Sequence, residues 1–99
     1  MEIRCPDLDG SPIPTGDPLL LAVNAFYAAF NGRDLAAMER VWASDGILYN
    51  PIGGIRRGWP DIRSVYERLF SGPVRVRVSF HDYSLRIDGN IAFVAGRER

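Results

Sequence analysis

Apolar residues along this chain recur first at every third and fourth position and then, past residue 73, at every second. Leu19, Val23, Phe26, Tyr27 and Phe30 form the first helical stripe. Asp17 and Pro18 supply its start, the carboxylate as N-cap and the proline at a position whose N–H is not needed. Asn31-Gly32 ends it, both residues tolerating a left-handed backbone. Asp34 caps a second helix at once. Its face is Leu35, Met38, Val41 and Trp42, and Ser44-Asp45-Gly46 closes it. A link this short implies two neighbouring, roughly antiparallel helices. Trp59-Pro60-Asp61 opens a third helix with the stripe Ile62, Val65, Tyr66, Leu69 and Phe70, stopped by Ser71-Gly72-Pro73. Between the second and third helices, Ile47-Leu48-Tyr49-Asn50 and Ile55-Arg56-Arg57 read as a small hairpin about a Pro-Ile-Gly-Gly turn.

Where the period becomes two, Val74, Val76, Val78 and Phe80 alternate with polar residues. Past Asp82 the apolar parity switches to Tyr83, Leu85 and Ile87. A switch of parity within one strand needs an extra residue, so a bulge is predicted near His81-Asp82. Asp88-Gly89 signals a hairpin, and residues 91–96 return as a strand apolar on both faces, the pattern of a strand covered twice. Residues 1–16, with several prolines and glycines and no periodicity, read as an N-terminal arm, leaving 17–99 as one domain. Helices followed by strands imply an α+β class, with three N-terminal helices packed on a curved antiparallel sheet. Such a bent sheet leaves a cone-like cavity, a common kind of ligand site.

Composition narrows the function classes. At 99 residues, with 46% hydrophobic and 24% charged side chains, the chain has the make-up of one globular domain with a modest core. Its formal net charge of zero gives no bulk attraction for nucleic acid or an anionic membrane. One Cys and one His cannot build a cysteine–histidine zinc cluster, and Cys5 reads as a free thiol in the arm. The longest apolar run, around residues 19–23, is too short to span a bilayer, and no charged-then-apolar leader opens the chain, so a cytoplasmic protein is expected. No metal or cofactor is implied: there is no G-x-S-x-G, no P-loop and no dinucleotide fingerprint.

The stretch NAFYAAFNGRDLAAMERVWASDGILYNPIGGIRRGWPDIRSVYERLF resembles the nuclear transport factor 2-like superfamily, in its SnoaL-like and ketosteroid-isomerase-like branch. The features run in order: a helix ending in Asn31, then Asp34-Leu35, Trp42, Asp45, Asn50-Pro51, and Gly58 before a helix. The resemblance covers about residues 17–97 and implies a cystatin-like α+β roll: a curled sheet wrapped by three helices into a cone, often dimerised through the outer face of the sheet. Members include isomerases, cyclases, dehydratases and non-catalytic modules, so fold alone does not name a reaction. In the isomerases an Asp before the Pro that ends the first strand is the general base. This chain has Asn50 there, and an amide cannot shuttle a proton. The family's oxyanion-donating Tyr on the first helix aligns with Phe26, one position before Tyr27. Steroid-type isomerisation is therefore not expected. Relatives usually carry two more strands after the one ending near Gly96. The chain is accordingly expected to be truncated at its C-terminal strands, or to receive the missing pairing from a partner, because an uncovered apolar edge strand is a liability.

Candidate site residues follow. Asn50 is either turn chemistry or a hydrogen-bonding group on a pocket floor, and Tyr49 points to the opposite face from it. Phe26, Tyr27, Phe30, Trp42, Trp59 and Tyr66 are the candidate apolar lining, each with packing as its alternative. Arg56-Arg57 reads as a solvated hairpin tip, with no third basic neighbour in sequence to favour an anion. His81 and Asp82 are weak catalytic candidates, a surface His being the more ordinary role. Three functions are carried forward: a small-molecule-binding domain with an apolar pocket, a non-catalytic dimerisation or assembly module, and a lyase, isomerase or cyclase acting on an apolar carbonyl compound. The expected partners are a small apolar ligand and a second copy of the chain, with neither nucleic acid nor membrane.

Overall fold

A computed structural model describes residues 6–50 and 53–99, apart from the side chain of Asn50. The first helix, α1 (Pro18–Asn31), begins as the sequence indicates: the Asp17 carboxylate accepts from the Leu19 N–H at 2.9 Å. Its end differs from expectation. Gly32 keeps a right-handed φ of −80°, and the left-handed residue is Arg33 at φ 53°. Asn31 spends its side chain on distant backbone instead. Its Nδ2 donates to the carbonyls of Asp9 and Val78, and its Oδ1 accepts from the Val78 N–H, each at 2.8 Å.

Asp34 caps α2 (Leu35–Val41), accepting from the Ala37 N–H at 3.0 Å, and Trp42 marks the helix end. Strands β1 (Ile47–Asn50) and β2 (Gly54–Arg57) pair antiparallel, Ile47 opposite Arg57 and Asn50 opposite Gly54, as the hairpin reading requires. Pro51 and Ile52 of its turn lie outside the described residues. Then α3 (Trp59–Ser71) follows Gly58, whose φ of 79° suits only glycine without strain. The C-terminal carbonyls of α3 are capped from afar. The Arg33 guanidinium donates to Phe70 O, to Leu69 O at 3.3 Å, to Gly72 O at 2.8 Å and to Val74 O at 2.9 Å.

The second ribbon is β3 (Phe80–Asp88) with β4 (Ile91–Glu98), antiparallel about a two-residue turn in which Gly89 supplies a φ of 62°. The predicted bulge is present. Register slips between His81 and Ser84, whose partners are Arg97 and Ala95, so β3 carries one residue more than β4 across the slip. The slip keeps one face inward, because Val78, Phe80, Tyr83, Leu85 and Val94 all belong to one apolar cluster. Gly96 allows the rings to lie over β4: a Cβ there would sit 2.6 Å from Phe80.

Two expectations need correction. Residues 74–79 alternate like a strand but form none, since β3 begins only at Phe80. Residues 74–78 pair with no strand among the described residues. Nor is the returning strand covered twice. Ile91 and Phe93 are 58% and 57% exposed, and the neighbouring Ile87 is 70% exposed. The class is α+β, three helices with two separate two-stranded antiparallel sheets among the described residues.

The core has two parts. One joins Ala29, Met38, Trp59, Ile62 and Tyr66, with Phe26, Phe30, Leu35, Trp42, Leu48, Leu69 and Phe70 against them. The other joins Leu8, Leu20, Tyr27 and Phe80. Leu8 comes from the N-terminal segment. It exchanges two backbone hydrogen bonds with Phe80, at 2.9 and 2.8 Å, and its side chain is fully buried. Buried Asn24 holds the same segment, accepting from Gly10 N–H and donating to Ser11 O, both at 2.9 Å. No described helix is long and apolar enough to cross a membrane.

Candidate functional site

The helical stripes bring most of the candidate aromatics together. Phe26 contacts Phe30, Trp42 and Tyr66 with ring centroids 6.3, 6.3 and 6.4 Å apart, and Tyr66 reaches Phe70 at 5.8 Å. These rings occupy one another's faces and edges, a packed interior in which each contact is worth on the order of 1 kcal/mol beyond its buried area. Trp59 belongs to the same cluster. Tyr27 faces the other way, edge-on to Phe26 at 5.0 Å and stacked on Phe80 at 5.5 Å. The side chain of Asn50 lies outside the described residues, and Tyr49 is largely exposed.

The polar groups of this interior are few. Tyr27 donates its hydroxyl to the Glu98 carboxylate at 2.9 Å, and burial, with that carboxylate's hydrogen bond and charge, pushes its pKa well up. Burial likewise pushes the Tyr66 phenol up to about 12. The nearby Trp42 indole opposes that rise without closing a hydrogen bond, and the Glu98 charge adds to it. The indole N–H groups of Trp42 and Trp59 are buried with no partner among the described residues. Glu98 was invisible as a site residue in sequence, because only the ribbon's register carries the end of β4 back to α1.

His81 and Asp82 do not form a dyad. Asp82 faces Arg97 Nε at 3.4 Å, while His81 Nδ1 is buried without a partner among the described residues. The bulge bends the strand at φ 49° on Asp82 but does not turn the two side chains together.

Room for a ligand lies on the other side of α3. A groove of about 420 Å³ is bounded by Arg56 of β2, by Val65, Arg68 and Leu69 of α3, and by Gly72, Pro73 and Val74 of the following segment. That volume falls within the usual range for small-molecule sites, about 300–1,000 Å³. Leu69 is its shared wall, packing also against the aromatic cluster. A second hollow of about 240 Å³ runs between residues 9–11 and the end of α1, but its polar groups are committed. Asp9 accepts from Ser11, which lowers its pKa, and pairs with Arg77 at 3.0 Å, while Asn31 is bonded as above. Sequence reasoning missed the groove. It forms between three segments, and Arg68 and Arg56 line it together only because α3 lies beside β2.

Three helices, a short hairpin and a bulged antiparallel ribbon make up an α+β architecture. A family model of the SnoaL-like domain matches residues 23–99. The chain belongs to that family, within the nuclear transport factor 2-like superfamily. Searches of curated proteins and of solved structures return no match.

Proposed function

We propose that this domain binds a small, mainly apolar molecule in the groove beside α3. The observation that carries this reading is the 420 Å³ groove whose floor is Val65, Leu69, Pro73 and Val74. The candidate aromatics then act behind it as a rigid backing, with Phe26, Phe30, Trp42, Trp59 and Tyr66 holding Leu69 in place. A binding role is favoured over catalysis because the amide at position 50 has no basicity and His81 is paired with no carboxylate among the described residues. Titration of the labelled protein with small apolar carbonyl compounds, octanamide and octanoate among them, tests the proposal by amide chemical shifts. Saturable changes centred on Val65, Leu69 and Val74, abolished in Val65→Asp, are expected. Absence of saturable change with every member of the set would overturn it.

A second reading, assembly through the β3–β4 ribbon with another copy of the chain, is favoured by the exposed Ile91 and Phe93. The two roles use different surfaces and are compatible.

A further inference from the structure

We infer that the ligand of this groove is an amphipathic anion, a monocarboxylate with an apolar body, whose carboxylate is clamped by Arg56 and Arg68. The assignment rests on the groove being the ligand site and adds the chemistry of the headgroup. Its lining holds two guanidinium groups and no carboxylate, the remainder being Val65, Leu69, Gly72, Pro73 and Val74. In a chain of zero formal net charge, two cations on an apolar hollow with no acid in its lining are a local excess.

Neither arginine is saturated by its surroundings. Arg68 makes no ion pair among the described residues, whereas Arg63 on the same helix pairs with Glu67 at 2.8 Å. Arg56 reaches Asp61 by one Nη at 3.4 Å, a long contact, and its Nε–H is buried with no hydrogen-bond partner among the described residues. That single long contact leaves the other Nη group of Arg56 to an acceptor brought from outside. Guanidinium groups present a planar fork that matches a carboxylate in two parallel hydrogen bonds, which an amide or alcohol headgroup does not reproduce. Val65, Leu69, Pro73 and Val74 then cover the hydrocarbon part, which gains by leaving water.

Calorimetric titration of the full chain with octanoate and with octanamide tests this, since the two probes differ in charge and share one tail. Octanoate is expected to bind about tenfold tighter than octanamide, the scale of one charge-assisted contact. Arg68→Gln should bring octanoate binding down to the level that the same variant shows for octanamide. Arg56→Gln should act in the same direction, and Arg63→Gln should alter neither probe. Equal binding of the two probes to the unaltered protein would overturn the headgroup assignment while leaving the small-molecule reading intact. Binding of neither would overturn both, and an Arg63→Gln loss matching that of Arg68→Gln would also overturn the clamp.

Discussion

Tyr27 and Tyr66 show how single side chains tie stability to pH. An unconstrained phenol titrates near 10.0, whereas Tyr66 is pushed up to about 12, first by burial. Over that interval the unfolded chain has lost a proton that the folded chain keeps, so ionisation draws the equilibrium toward unfolding. The contribution of the neutral phenol is therefore complete below 10.0 and is lost as pH rises through about 12. Tyr27 moves in the same direction, through burial and then the Glu98 carboxylate that accepts its hydroxyl. Urea denaturation at increasing pH is expected to show stability falling above about 10, and Tyr66→Phe, which keeps the ring, should make that fall shallower. An unchanged slope in Tyr66→Phe would refute this account of the phenol.

At the scale of elements, what could be read in advance depends on how local the cause is. Helix starts were legible because Asp17 and Asp34 lie beside the N–H groups they cap. The bulge was legible because counting apolar parity across His81-Asp82 needs no knowledge of the partner strand. Residues 74–79 alternate yet form no strand, because alternation suits a strand but a partner is what makes one. Leu8 was missed because one apolar residue among prolines and glycines has no period, yet its backbone pairing to Phe80 carries it into the core. The groove was illegible for a related reason: none of its three segments signals the others. The α3 C-terminus shows the same non-locality, since the cation that caps it stands before α2. Arg33→Met keeps much of the stem but removes four donor contacts to carbonyls between Leu69 and Val74. The expected cost is about 2–3 kcal/mol, as for charged hydrogen bonds partly replaced by water. Hydrogen exchange should rise first at the last turn of α3. Uniform loss of protection across all three helices, with no preference for that turn, would contradict a local capping role.

For the whole molecule, the decisive feature is a ribbon that extends its apolar surface past the core. Cross-strand partners share a face, so Ile91 and Phe93 of β4 lie on one side with Asp88 and Arg86 of β3. Leu85 and Val94 lie on the other side, toward the Leu8–Phe80 cluster. The outward side thus presents two exposed apolar residues beside one anion and one cation. A two-fold arrangement of such a face can set Arg86 of one copy against Asp88 of the other while Ile91 and Phe93 meet across the axis, the self-complementarity that an isologous contact requires. Among the described residues β4 pairs with β3 alone, and an unpaired strand edge is one that proteins tend to cover. Sedimentation is therefore expected to show a concentration-dependent dimer, with a melting temperature that rises with protein concentration because only the folded state associates. Phe93→Asp should yield a monomer at the same concentrations while retaining the helical spectrum, since Phe93 packs in neither core cluster. Octanamide binding should persist in that monomer, because the groove beside α3 uses no residue of the ribbon. A chain that stays monomeric at every concentration, with Phe93→Asp indistinguishable from it, would remove the ribbon as an interface.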